Sequence, residues 1–294
     1  MGALAVGGVR VAAAVVAAGL LLTATACGER SEPTGPSIRL YPVTVASAGD
    51  RPLVVRKPAR RIVVLAQGPY EIVAALGARS RIAGRPVARN GLIRFRQLKR
   101  LKPDLIVASS GANEVELSRA EAVTHAPVYV IPGDSIREVE RAVIQLGLIA
   151  GRPVAARRLV HAIEAGRRFV ARRLTRTRPV SVFVDTGFFT TVSDQSLAGD
   201  LIREAHGRNV AGPRPEPGPF DLRELVALDP DVYLATSDSG TTLAVLRRNA
   251  RTRKLTAVRA GRFAIVDPAL LEPGPRIGEG LLEIARSLHP DAFR

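Results

Sequence analysis

The same short unit occurs twice in this chain. Leu101-Lys-Pro-Asp-Leu-Ile-Val-Ala-Ser-Ser110 and Leu228-Asp-Pro-Asp-Val-Tyr-Leu-Ala-Thr-Ser237 each run Leu-x-Pro-Asp into an apolar stretch and leave it on serine. A proline there stops a preceding helix, and an apolar run without polar alternation reads as a strand buried on both faces, as parallel sheets require. The surroundings repeat as well. Arg61–Leu65 and Val180–Asp185 read as strands followed by helices at Tyr70–Leu76 and Leu197–Ala205. Pro127–Ile131 and Arg262–Val266 read as strands leading into helices at Ser135–Leu148 and Ile277–Leu288, the first opening with a Ser135-x-x-Glu138 capping box. Alternating strand and helix in each half predicts an α/β fold of two lobes, each with a mainly parallel sheet.

Between the halves, Pro153–Leu174 carries an apolar stripe at Leu159, Ile163, Gly166, Val170 and Leu174 and exposes Arg157, Arg158, Arg168 and Arg172 on its other face. It reads as one helix of about 33 Å, at about 1.5 Å per residue, running along both lobes as a strut. A helical strut resists bending, so lobe closure is expected to be small. The expected boundaries are 1–26 for a targeting segment, 27–38 for a tether, 39–150 and 179–294 for the lobes, and 151–178 for the connecting helix.

Residues 1–26 hold Arg10 and then an apolar run, Val11 to Leu22, too short for a bilayer span and suited to a signal-peptide core. Ala24-Thr25-Ala26-Cys27 ends it either at an ordinary cleavage site or as a lipobox in which Cys27, the chain's one cysteine, takes the lipid. A lipobox usually has Leu where Ala24 stands. The lipid reading places the protein outside the cytoplasm, anchored to the membrane through a Pro- and Gly-bearing tether. One cysteine rules out an internal disulfide and a cysteine-built metal site, and four scattered histidines argue against a bare metal-ion site. Basic residues exceed acidic ones by 16, but 39 of the 43 are Arg and lie dispersed, a skew that base composition alone produces. Without aromatics interleaved in a basic stripe, nucleic acid is not an expected partner.

In open α/β sheets a ligand lies beyond the carboxyl ends of the strands. The exits there are Gln67-Gly-Pro-Tyr70 and Ser109 to Asn113 in the first half. In the second they are Asp185 to Phe189, Ser237-Asp238-Ser239, and the loop from Asp267 to Arg276. Gln67, Tyr70, Ser110, Asn113, Asp185 and Asp238 are therefore the expected ligand contacts. Hydroxyls, amides and a few ion partners suit many contacts to one large polar molecule. The chain lacks Gly-x-Ser-x-Gly, a Walker loop and His-Glu-x-x-His, so no enzyme is expected.

Over residues 39–294 the chain resembles the solute-binding proteins of ABC importers for ferric siderophores, haem and cobalamin. The resemblance rests on an ordered set: Tyr41-Pro-Val-Thr-Val45, Pro58-Ala-Arg-Arg-Ile-Val63, Glu71 before Ala74-Ala-Leu-Gly77, both Leu-x-Pro-Asp units, Gly207-Arg-Asn209, and Ala257 to Arg262. It implies a rigid two-lobed monomer that carries a metal chelate (a ferric siderophore first, then cobalamin or haem) to a permease and its ATPase. It also implies that Glu71 docks on the permease, that Glu272 and Arg276 touch the ligand, and that Phe188 and Phe189 supply an apolar platform. Counting back from Pro230, Arg223 stands where the family has its second docking Glu, with Glu224 next to it. Between Gly84 and Pro103 seven basic residues and no acid occupy a shortened loop. They read either as a solvated face or as placing Arg85 or Arg89 on the anionic oxygens of a chelate. The alternative function is an exported basic protein that binds wall polymer or lipid headgroups. A further one is a hydrolase or chelatase using Asp185, Asp238 and Glu272.

Overall fold

The computed structural model describes residues 41–48, 52–213 and 218–294, so the expected signal peptide, the tether and Cys27 lie outside the described residues. In the first lobe, strands β1 (Val43–Ala46) and β2 (Pro52–Val55) form an antiparallel hairpin. Beside it β3 (Ile62–Val64), β4 (Ile82–Gly84), β5 (Leu105–Ser109) and β6 (Val128–Ile131) make a parallel sheet ordered β4-β3-β5-β6. In the second, β7 (Val180–Asp185), β9 (Gly207–Asn209), β11 (Val232–Thr236) and β12 (Phe263–Val266) form a parallel sheet ordered β9-β7-β11-β12, while the short β8 (Thr190–Thr191) pairs with β10 (Gly218–Pro219). Numbered within each lobe, both sheets read 2-1-3-4, so the sequence repeat is a repeat of topology. Each has its switch point between the first and third strands, at β3/β5 and β7/β11.

The repeated spacing of Leu-x-Pro-Asp does more than break a helix. Lys102 and Asp229, just before each proline, are left-handed C-caps with φ of 43° and 40°. Each motif aspartate then ties down the start of the neighbouring strand: Asp104 accepts the Arg60 and Arg61 amides at 2.8 and 2.9 Å, and Asp231 accepts the Ser181 amide and hydroxyl. These bonds hold the Ser181 partner's carboxyl below its ordinary value, the Ser181 hydroxyl contributing most.

The Pro153–Leu174 helix forms as expected and buries Ile163, Val170 and Leu174, with the four named arginines on its exposed face. It is not a lone strut. The helix Ile136–Ile149 places Ile136 and Val139 in the core of the second lobe and Ala142, Val143, Leu146 and Ile149 in the core of the first. Leu159 of the strut packs against both cores. The two helices pass so close that a Cβ on Gly147 would stand 2.3 Å from that of Ala156. The expected boundary at residue 150 therefore cuts a helix off from half of its packing, because core membership follows contact rather than chain order.

Polar contacts lock this pair of helices to the second lobe. Asp200 of the helix Leu197–Glu204 is buried, accepts the Ile136 amide at 2.8 Å and pairs with Arg203. Arg167 on the strut donates to Glu204 at 2.8 Å and to Glu140 at 3.1 Å. All three of these side chains are less than a third exposed, and burial pushes the Glu140 carboxyl above its usual value despite Arg167. Arg167→Met removes the shared cation and leaves two partly buried carboxylates together, so it should destabilise the fold by about 3 kcal/mol at pH 7. Denaturant titration should show this deficit shrinking toward pH 4.5, as protonation of Glu140 relieves the repulsion.

A histidine pair closes the far end of the second lobe. His289 is buried, faces His206 edge-on, and has its Nε2 3.3 Å from the His206 carbonyl; Arg262 binds the adjacent Leu288 carbonyl. Burial depresses the His289 pKa below 6.5. The unfolded chain then takes up its proton first as pH falls, so stability present above pH 6.5 is lost on acidification. Melting curves should drop between pH 7 and 5.5, and His289→Gln should flatten that drop.

Candidate functional site

The carboxyl ends of the strands at the first switch point, β3 and β5, face the second-lobe loop bearing Glu272 and Pro273 across a cleft. Pro273 of that loop wedges into the first lobe. A Cβ on Gly68 would stand 2.1 Å from the Pro273 carbonyl oxygen, and one on Gly133 would stand 2.5 Å from its ring and 2.8 Å from Ser110 Oγ. Glycine at 68 and 133 is thus what lets the lobes touch. Beside the wedge an open cavity of about 620 Å³ is lined by Leu65, Ala66, the 108–113 exit and the turn Asn90 to Ile93 from the first lobe, and by Glu272 and Pro273 from the second.

Of the expected ligand residues, Ser110, Asn113 and Glu272 share this cavity. Asn113 also caps the helix Glu114–Thr124, its Oδ1 accepting the Glu116 amide at 3.0 Å. Next to them Arg85 donates to Gln67 Oε1 at 2.6 Å with its guanidinium 5.3 Å from the Tyr70 ring centre, and Gln67 donates to Glu71 at 2.7 Å. Both arginines are exposed, and the loop arginine that meets the cleft residues is Arg85, through Gln67 and Tyr70. Glu71, Glu272 and Asp238 converge on the mouth. Partial burial first, then the charges of Glu71 and Asp238, push the Glu272 carboxyl above its ordinary value. Arg276 lies farther along the loop, 3.9 Å from Asp267.

Two expectations need correction. Asp185 does not face a ligand: it is 0% exposed, and four internal donors satisfy it. Its Oδ1 accepts the Gly187 and Phe189 amides, and its Oδ2 accepts Tyr233 and Thr241 hydroxyls at 2.7 and 2.8 Å. The same burial and the aspartate charge push the Tyr233 hydroxyl far up, keeping it a donor. Asp185 instead shapes the loop after β7, where Phe188 and Phe189 both adopt left-handed φ, 51° and 59°. Phe189 is accordingly not part of a double platform, because it packs on the core cluster around Phe183, whereas Phe188 is 94% exposed beside the Ser239 exit. Glu71 and Glu224 are not equivalent across the repeat. Glu71 belongs to the helix Gln67–Ala75, whose counterpart is Leu197–Glu204, while Glu224 belongs to Leu222–Leu228, whose counterpart is Phe95–Leu101. Counting back from Pro103 as from Pro230 gives Arg96 opposite Arg223, and Glu71 is half-buried at the cleft.

The wedge and the Asn90–Ile93 turn were not foreseen. The turn had a signal, the Asn90-Gly91 pair, with Gly91 at φ 82° and a bridge between Val87 and Ile93. Among the described residues no group of three or more His, Cys, Asp or Glu is arranged to hold a metal ion, and no helix is long and apolar enough to cross a membrane.

A family model described as periplasmic binding protein matches residues 90–270. The chain belongs to that family. An ABC transporter substrate-binding lipoprotein of Bacillus subtilis (strain 168), YvrC, is 25% identical over 279 residues, 87% of this chain and 88% of its own. Helicobacter pylori CeuE, solved with a nickel–histidine complex, superposes with a TM-score of 0.73 at 17% identity, covering 85% of this chain and 89% of that one. The vitamin B12 binding protein BtuF of Vibrio cholerae superposes at 0.68 and 16%, covering 81% and 99%. This periplasmic binding protein is thus a substrate-binding component of an ABC transporter, a non-enzymatic class that works outside the cytoplasm with a permease and an ATPase.

The wedge yields a direct test. Gly133→Ala puts a methyl where the Pro273 ring lies, so the lobes must separate or strain. A loss of 1–3 kcal/mol is expected, read by denaturant titration, and Pro273→Gly in the same chain should restore part of it.

Proposed function

We propose that the cleft captures a metal chelate of neutral or positive overall charge, a ferric hydroxamate siderophore ahead of cobalamin or haem, for delivery to the importer. The cavity of about 620 Å³ at the first switch point, closed by Glu272 and Pro273 from the other lobe, carries this reading. It falls in the range of small-molecule sites and is lined by hydroxyl, amide and carboxylate groups with apolar walls. The rim chemistry orders the candidates. Glu71, Glu272 and Asp238 give the mouth a negative field, so a trianionic ferric catecholate would be repelled, whereas a neutral or cationic hydroxamate complex would not. Arg85, held by Gln67 and Tyr70, offers one cation to a chelate oxygen. Phe188 offers apolar surface at the opposite rim, and Arg276 stands behind Glu272. Glu71, and Glu224 exposed on Leu222–Leu228, are the docking carboxylates, and a lipid on Cys27 would keep the carrier at the membrane.

Thermal shift with ferric hydroxamates, ferric catecholates, haem and cobalamin tests the proposal. One class should stabilise the protein saturably, by about 2.7 kcal/mol at a hundred times its Kd. Hydroxamates should bind at least tenfold more tightly than catecholates, and a combined Glu71→Gln, Asp238→Asn and Glu272→Gln chain should narrow that gap. Tighter catecholate binding by the unaltered protein would reject the charge assignment, and no binding by any chelate would reject the ligand class.

A further inference from the structure

The internal repeat separates the charges that the fold requires from those it does not. Phe95–Leu101 and Leu222–Leu228 are the same helix in the two lobes, each buried through one central leucine, Leu98 or Leu225. At the positions of Lys99, Arg100 and Lys102 the second lobe has Val226, Ala227 and Asp229. Asp229 serves the fold there, accepting the Thr256 amide and hydroxyl. The unit therefore folds without these cations. In the first lobe Arg96, Lys99, Arg100 and Lys102 instead line an open groove of about 650 Å³ together with His125. None of the four has a carboxylate partner within salt-bridge distance among the described residues.

The groove has a defined place. Lys102 and His125 immediately precede the starts of β5 and β6, so the groove lies at the end of the sheet opposite the cleft. Arg56 and Lys57, both exposed, stand at the same end, beside a smaller cavity of about 210 Å³ with apolar walls that include Leu53, Val54 and Pro127. Val54 is 55% exposed. Asp104, next to Pro103, has both oxygens occupied by the Arg60 and Arg61 amides, and Glu121 is the exposed acid beside Leu53 and Pro127. Base composition does not account for this gathering: it favours arginine everywhere in the chain, yet three of the four lysines, Lys57, Lys99 and Lys102, are here. The chain also enters here. The Tyr41 hydroxyl binds the Leu148 carbonyl and lies beside Gly151, which touches Pro58 at the approach to β3.

We propose that this basic end of the first lobe rests on the anionic headgroups of a phospholipid membrane. Unpaired cations around an exposed apolar residue match a headgroup layer, which takes both charge and shallow apolar insertion. Lying so, the protein turns its cleft away from the membrane, and delivery to a permease requires it to turn over. The inference does not depend on which solute the cleft takes.

The test uses the chain from Gly28 onward, whose Tyr41–Arg294 part is compact by itself, so that neither a lipid nor the apolar run 11–22 contributes. Co-sedimentation with vesicles of phosphatidylcholine alone, and of equal parts phosphatidylcholine and phosphatidylglycerol, reads binding. Binding to the anionic vesicles is expected, lost at about 1 M salt where the Debye length is about 3 Å. Changing Arg96, Lys99, Arg100 and Lys102 together to Gln should weaken it about fivefold per charge removed, with an unchanged melting temperature. The same change at Arg157, Arg158, Arg168 and Arg172, equal in net charge, should leave most of the binding intact. Equal losses in both variants would make the attraction a property of net charge and overturn the proposal. So would equal binding to neutral vesicles, or binding to a soluble anionic wall polymer with none to vesicles.

Discussion

One shared cation and one shared carboxylate hold the two lobes in register. Arg167 reaches Glu140 and Glu204 together, and Asp200 takes the Ile136 amide at the point where a helix passes from the second core into the first. Every element of the cleft is positioned from these helices. The helix bearing Asp200 follows β7, and the helix carrying Glu140 follows β6, so rotation of the two sheets about the strut would break partly buried ion pairs. Pro273 adds a third point of contact at the cleft itself, against Gly68 and Gly133. A spine at one side and a wedge at the other leave little freedom for closure.

That rigidity explains why the site is built from loops rather than from moving lobes. Ser110 and Asn113 are placed by β5 and the helix it feeds, Arg85 by its hold on Gln67 and Tyr70, and Phe188 by a buried aspartate that forces two consecutive left-handed residues. A ligand then meets a surface whose ordering cost is already met by the fold. At the mouth, partial burial and then the neighbouring charges of Glu71 and Asp238 push the Glu272 carboxyl above its ordinary value.

The architecture was legible because its signals are local. The Leu-x-Pro-Asp units, the Ser135 cap and the strut periodicity involve residues within one or two turns of each other, and the strut and the final helix begin and end where the pattern places them. The Ser135 cap forms as read, with Glu138 reaching back one residue further than expected, to the Asp134 amide. Strands β4 and β9 were missed because Ile82-Ala83-Gly84 and Gly207-Arg208-Asn209 carry too little apolar sequence to register; their edge places beside β3 and β7 make them strands.

The site was legible less evenly. Sequence alone determined which loops leave the strand ends, and with them Ser110, Asn113 and the Gln67–Tyr70 exit, since topology sends those loops to one face; Glu272 was named by the family resemblance. It could not separate a carboxylate that faces solvent from one that organises a turn. Asp185 and Asp238 leave neighbouring strands of one sheet, yet one is sealed by Tyr233 and Thr241 from distant parts of the chain and the other is open. Nor could it show that Glu71 points at Glu272, or that a proline from one lobe seats between two glycines of the other. Burial and like-charge proximity are sums over neighbours remote in sequence, and only the folded chain brings those neighbours together.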